Sequence, residues 1–254
     1  GYATRPAGVL DAAPPASPEH ARRYWHPAIF AQGSIKGVYL AHGFASHDAY
    51  VEARLAWWDV PYYRDGEACS VAVLRRRADG HRSLHITGKA DASAGESSFD
   101  LDTQLLNGHL PVLVHADPRA CLNLGLGGGM SLGAMAAHAG VASIDMLELS
   151  PEVVEAARLH FADVNGGALE NPKVRTIIGD GRNHLAHTSR RYDVISSEPS
   201  NFWIAGIGNL FTEEFYRIVR DRLRPGGVVC QWIYGYNIRA EDYATAVRTF
   251  LRVF

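Results

Sequence analysis

Cysteine is scarce. Cys69, Cys121 and Cys230 are the only three in 254 residues, odd in number and far apart. Each lies in an apolar, strand-like run. That argues against a disulfide framework and a cysteine metal site, and for buried free thiols in a reducing, cytoplasmic setting. Long apolar runs are lacking too: no stretch approaches the ~18 uninterrupted apolar residues of a membrane span. The opening residues GYATRPAGVLDAAPPASPEH have no apolar segment of the kind a signal peptide needs. Charge of one sign is also missing. The net charge is −2, so there is no basic footprint for nucleic acid. The twelve histidines are scattered. His184 and His187 share a helical face without a third ligand nearby, so no metal is expected. No Ser-His-Asp set stands out.

What is present suits a globular enzyme-sized chain. Hydrophobic residues make up 47% and charged residues 20%, enough for a real core. Residues 1–60 read as an extension, Ala/Pro-rich to residue 20, with a short helix around His20–Phe30 and an amphipathic stretch near Tyr50–Trp58. Residues 61–98 read as a small β-hairpin domain. CSVAVLRRR (69–77) and RSLHITGKA (82–90) flank an Asp79-Gly80 turn, an earlier strand precedes Asp65-Gly66, and ADASAGESS (90–98) reads as a small-residue linker.

From Phe99 the pattern changes. FDLDTQLLNGHLPVLVH has helical spacing until Pro111. Five apolar strands follow: ACLNLGL (120–126), SIDMLEL (143–149), KVRTIIG (173–179), YDVISSE (192–198) and GGVVCQWI (226–233). Helices are expected near 131–139, 151–162, 182–188, 212–223 and 240–252. Apolar strands alternating with helices predict an α/β fold, with a doubly wound parallel sheet over 99–254. Such sheets bind ligands beyond the carboxyl ends of their strands.

Four strand ends carry candidate chemistry. The first enters Gly125-Leu126-Gly127-Gly128-Gly129, where glycines allow a tight turn and close ligand approach before a helix start. The second ends in Glu148, whose carboxylate suits ribose hydroxyls or, alternatively, the start of the next helix. The third ends in Gly179-Asp180-Gly181. An aspartate there accepts from an exocyclic amine or simply makes a turn. The fourth ends in Glu198, followed by Pro199-Ser200-Asn201 and the aromatics Phe202 and Trp203. Pro199 and the turn would hold Glu198 at the sheet rim. The aromatics either wall a cleft or cover the core.

These residues, with YYRDGEACSVAV, LHITGKADAS, DLDTQLLNGHLPVLVH, LNLGLGGG, IIGDGRNHL, NLFTEEFYR and LRPGGVVCQW, resemble the spermidine/spermine synthase (polyamine aminopropyltransferase) family. The closest likeness is to its spermidine synthase-like branch, often fused to membrane transporters. The resemblance runs from about Tyr62 to Trp232. It implies a Rossmann-like methyltransferase-type domain beside a small N-terminal β domain, with the family's last strand pair absent here. It further implies that decarboxylated S-adenosylmethionine is the donor, an amine such as putrescine the acceptor, and methylthioadenosine a product. Glu148 would hold the ribose, Asp180 and Gly181 the adenine side, and Gln104 would line the nucleoside pocket. Gly125, Gly127 and Gly128 would face the donor, Asn201 and Trp203 the acceptor, and Glu198 would take the catalytic position. A homodimer and a fused or associated membrane domain are the protein partners this branch allows.

The chain departs from the family pattern at the amine end. Gly128 stands where the family's loop has an aspartate, and Asn201 stands where a second acid usually follows the first. Thr103-Gln104-Leu105 replaces Tyr-Gln-Glu. Glu213 and Glu214 are distant candidates for the missing acids. An enzyme using intact S-adenosylmethionine, such as a methyltransferase, or a non-catalytic nucleoside-binding domain, therefore remains an alternative. An ordinary carboxylate, with a pKa of about 4, is a poor base for an alkylammonium of about 10. Glu198 is thus expected to orient the amine and offset positive charge.

Overall fold

The structure is a computed structural model and describes residues 45–95, 99–200, 202, 206–235 and 238–254. The helix expected around His20–Phe30, and Asn201 and Trp203, lie outside the described residues.

Helix α1 (His47–Trp57) begins at Ser46, whose hydroxyl accepts from the Ala49 N–H at 3.1 Å. It leads into an antiparallel sheet of β1 (Trp58–Asp65), β2 (Ser70–Arg76), β3 (Arg82–Ile86) and β4 (Lys89–Ala94), paired in that order. The hairpin β2–β3 is thus the centre of a four-stranded sheet. The run 82–90 is split by a turn at Thr87-Gly88, and β4 continues through Ala94, where 90–98 reads as linker. Its Ala and Ser residues have weak β propensity, but they pair with β3 and bury Ala92, Ser93 and Ala94 against the core.

Helix α2 (Phe99–Val114) runs through Pro111 instead of stopping there. A proline at that position removes one N–H, the one that would bond to the carbonyl four residues back. That carbonyl belongs to Asn107, and the Ser196 hydroxyl donates to it at 3.0 Å. The freed acceptor therefore ties α2 to the central sheet.

The second sheet contains β5 (Ala120–Leu124), β6 (Ser143–Glu148), β7 (Val174–Ile178), β8 (Tyr192–Ser197) and β9 (Leu223–Gln231). All four pairings are parallel and the order is β7-β6-β5-β8-β9. Helices α3 (Met130–Ala136), α4 (Pro151–His160), α5 (Gly181–His187), α6 (Glu213–Arg222) and α7 (Ala240–Leu251) complete the fold. The strand order reverses between β5 and β8, so the crevice lies between the loops that follow these two strands.

The two sheets share one apolar cluster, in which Val71, Val73 and Leu84 meet Met130, Val153 and Phe161. Polar contacts pin the same junction. The Tyr62 hydroxyl donates to Glu155 Oε2 at 2.7 Å, and Arg82 donates twice to Asp163, at 3.0 and 2.6 Å. No helix among the described residues is long and apolar enough to cross a membrane.

Candidate functional site

Leu124 and Ser197 are cross-strand partners at the last register position of β5 and β8. The next residue on each strand begins the site. Gly125 has φ +86°, and a side chain there would meet the Glu198 carbonyl at 2.8 Å. Only glycine accommodates both the backbone angle and that close approach. Gly127 (φ +52°) and Gly129 (φ +84°) continue the left-handed turns into α3. Gly128 has another reason to be glycine. A Cβ there would lie 2.8 Å from the Met130 side chain and 3.3 Å from Phe161. Met130 fills the volume into which a longer side chain would project.

Glu148 sits at the tip of β6. Its Oε2 accepts from the Leu126 N–H and its Oε1 from the Ser150 N–H, both at 3.0 Å. The first bond ties it to the glycine loop and the second to the start of α4, so the helix-start role and the site position coexist. Burial pushes the Glu148 carboxyl up, while those backbone N–H groups pull the other way and Asp91 adds to the upward push. Asp180 is exposed and caps α5, its Oδ1 accepting from Asn183 N–H at 2.7 Å. Gly181, next along, packs so that a Cβ would meet Leu124 Cδ1 at 2.8 Å.

Glu198 follows β8, and its backbone N–H donates to the Leu124 carbonyl at 2.9 Å. The Ser131 hydroxyl, in the first turn of α3, donates to its Oε2. The residue keeps some accessible surface, but its carboxyl is packed round by protein. Burial pushes its pKa up to about 7, with Ser131 and the Asn107 side chain opposing the rise and Asp100 adding to it. This differs from the ordinary carboxylate assumed from the sequence. The cause is desolvation by elements far away in the chain.

Gln104 lies buried on α2, three residues before Asn107 and so on the same side of the helix. The structure thus brings Glu148, Glu198, Gly125 and Gly127 to one end of the sheet. Asp180 lies at the tip of the neighbouring β7, and Gln104 on the helix that covers the sheet. Glu213 instead pairs with Arg217 at 2.5 Å and with Arg252 at 3.8 Å, away from these tips.

The sequence reading missed Asp91, Ser93, Asp100, Asn107 and Ser131. Asp91 lies on β4 close enough to influence Glu148, and the Ser93 hydroxyl donates to Asp100 at 3.1 Å. β4 therefore passes over the strand tips, with Ala92 3.8 Å from the point where a Gly127 Cβ would stand. Asn107 was findable, because Pro111 four residues later leaves its carbonyl without a helical partner. Two open grooves, of about 540 Å³ beside Phe202 and Phe211 and about 660 Å³ beside Trp57 and Trp58, lie elsewhere. Neither includes an acid pushed toward neutrality, so the strand tips remain the candidate site.

A family model described as "Spermine/spermidine synthase domain" matches residues 103–253. The polyamine aminopropyltransferase 2 of Hyperthermus butylicus is 33% identical over 68% of this chain and 56% of its own length. That of Pseudomonas aeruginosa is 29% identical over 98% of this chain and 69% of its own length. The polyamine aminopropyltransferase of Serratia proteamaculans is 35% identical over 68% of this chain and 63% of its own length. The match to the Hyperthermus protein thus spans little more than half of that relative. Among solved structures, a spermidine synthase in complex with the transition-state analogue AdoDATO has a TM-score of 0.67 at 22% identity, covering 77% of this chain and 63% of that one. The spermidine synthase from Thermotoga maritima gives the same TM-score and identity, with 64% of its chain covered. At that identity these two likenesses establish the fold, a five-stranded parallel sheet with a small antiparallel sheet before it. The family match covers more than half the sequence, and the chain belongs to the spermine/spermidine synthase family.

Proposed function

We propose that this chain is an aminopropyltransferase. It moves an aminopropyl group from decarboxylated S-adenosylmethionine to a small primary-amine acceptor and releases methylthioadenosine. The acceptor nitrogen attacks the propyl carbon attached to the sulfonium. The carbon–sulfur bond breaks with its electrons going to sulfur, and the nitrogen loses a proton. The sulfonium is already an activated leaving group, so the protein chiefly aligns nitrogen, carbon and sulfur.

Glu148 receives the ribose hydroxyls on lone pairs that its two backbone bonds leave free. Asp180 accepts from the adenine amine with the oxygen not used in capping, and Gln104 lines the nucleoside pocket. Gly125, Gly127, Gly128 and Gly181 let the backbone approach the donor. The family resemblance assigns Asn201 and Trp203 to acceptor binding.

The single observation that carries the reading is Glu198, a carboxyl at the switch-point crevice with a pKa pushed up to about 7. At that value it offsets the ammonium's charge and is a far better proton acceptor than an ordinary carboxylate. Passing a proton to it from an ammonium of about 10 is uphill by about 3 units instead of about 6. Relatives named polyamine aminopropyltransferases support the choice of reaction. The three free thiols fit a reducing cytoplasm, and a homodimer fits the family's habit.

Calorimetric titration with decarboxylated and intact S-adenosylmethionine, paired with detection of methylthioadenosine, tests the proposal. Tight binding of the decarboxylated donor, and methylthioadenosine release only when an amine is present, are expected. Preference for the intact donor, or methyl transfer, overturns it.

A further inference from the structure

Beside Glu198 the chain has built a receptor for a primary ammonium and put its own lysine in it. Lys89 Nζ donates to Asp91 Oδ1 at 2.5 Å, to the Ala90 carbonyl at 3.2 Å and to Ser200 Oγ at 3.3 Å. These are three acceptors for its three N–H bonds. Ser200 gives its own hydrogen to the same Asp91 oxygen at 2.6 Å, so it can accept from the lysine. The Asp91 side chain is only 10% exposed, whereas that of Lys89 is 34% exposed. The carboxylate is therefore the buried partner, and the cation is the more accessible one.

The position is not neutral with respect to the site. Ser200 is two residues beyond Glu198. Asp91 lies on the strand that passes over the glycine loop, near enough to Glu148 to affect its titration. Lys89 has no N–H to spare for a carboxylate, and Asp91 cancels its charge, so this is not a site for an anionic substrate. A bare Asp91 would be a nine-tenths-buried carboxylate without a counter-ion, which is costly. The pocket needs a primary ammonium, and a lysine head is chemically the same group as the end of an alkylamine.

We propose that Asp91, Ser200 and the Ala90 carbonyl form a second ammonium cradle at the rim of the Glu198 site, and that Lys89 occupies it and so selects against acceptors carrying a second ammonium. The inference rests on the amine-acceptor reading above. A diamine bound by one nitrogen near Glu198 must either displace Lys89 or leave its far ammonium facing an occupied, neutralised pair. A monoamine meets no such conflict.

The experiment compares 1,4-diaminobutane with butylamine, titrated calorimetrically into the 254-residue protein and into Lys89→Met, which keeps the stem and loses the head. The diamine-to-monoamine affinity ratio should rise on the order of tenfold or more in Lys89→Met, the worth of one hydrogen-bonded charge. Adding Asp91→Asn should erase that rise. A ratio unchanged in Lys89→Met overturns the cradle, as does a rise that survives Asp91→Asn. Such results would mean that the pair merely fastens β4 to the loop after β8. Should Lys89→Met not melt cooperatively, Lys89→Gln is held to the same criterion. If no donor–amine pair yields methylthioadenosine while the ratio still rises, the transfer reaction falls and the cradle stands.

Discussion

Replacing Glu198 with glutamine should inactivate the protein and stabilise it, and the stabilisation should grow with pH. The carboxyl's pKa is raised from 4.5 to about 7 in the folded state, chiefly by burial. The folded form therefore holds this proton more tightly than the unfolded chain does. The stabilising contribution is complete below pH ~4.5 and is lost as pH climbs to about 7. Above that, an ionised Glu198 costs about 3 kcal/mol, taking 1.36 kcal/mol per unit over the whole interval. That is an upper figure, since the residue keeps some contact with water. Glutamine carries no charge at any pH and can still pair with the Ser131 hydroxyl. The variant's melting temperature should match the parent near pH 4.5 and exceed it by up to roughly 6–12 °C at pH 8–9, at about 2–4 °C per kcal/mol for a chain this size. Its rate of methylthioadenosine release should fall on the order of 10²-fold or more. In the parent, the rate should rise with pH through about 7 as the carboxyl ionises. Thermal melts at pH 5, 7 and 9, alongside initial rates, test all of this. Melting curves that shift in parallel at every pH, or a variant that keeps its rate, would refute the claim that a desolvated Glu198 drives the chemistry.

Substitutions at two further positions probe the other strand tips. Glu148→Ala leaves the Leu126 and Ser150 N–H groups without their acceptor, so both stability and donor affinity should drop, each by about 1–3 kcal/mol. Calorimetry and melts in parallel check this, and a loss confined to stability would remove Glu148 from the donor site. At Asp180, alanine should cost about 1 kcal/mol of stability through the lost cap, while asparagine, an equally good cap, should cost almost none. Urea denaturation of both variants decides it, since equal losses would mean that the charge matters rather than the cap.

Strands β5, β6 and β8 were legible because they are buried on both faces and read as apolar runs, as with Val194 and Ile195 in β8. The helices expected over 151–162 and 212–223 begin at Pro151 and Glu213, and the structure shows Ser150 and Thr212 as their caps. What escaped was structure dictated by distant partners. Asp91–Ala94 has the composition of a linker and becomes a strand because β3 offers a pairing edge and the core accepts its small side chains. Pro111 suggested a helix end, and the helix continues because Ser196, 85 residues later, takes up the orphaned carbonyl. In the site, Glu148 and Glu198 were visible as acids that stop apolar strands. Asp91 and Ser131 were not, since each gains its role only through the approach of another element.

The two site acids, Glu198 and Glu148, are tuned by different parts of the fold. A carboxylate at the tip of a parallel strand in an open sheet would face water and titrate near 4. Here α2 covers one side through Asn107, α3 presents Ser131, and β4 reaches across the glycine loop with Ala92 and Asp91. The partners that tune the Glu198 carboxyl therefore come from α2 and α3. The antiparallel sheet acts on the neighbouring acid: Asp91 on β4 adds to the upward push on the Glu148 carboxyl. The apolar junction of Val71, Val73 and Leu84 with Met130 and Phe161 holds the two sheets together so that it can.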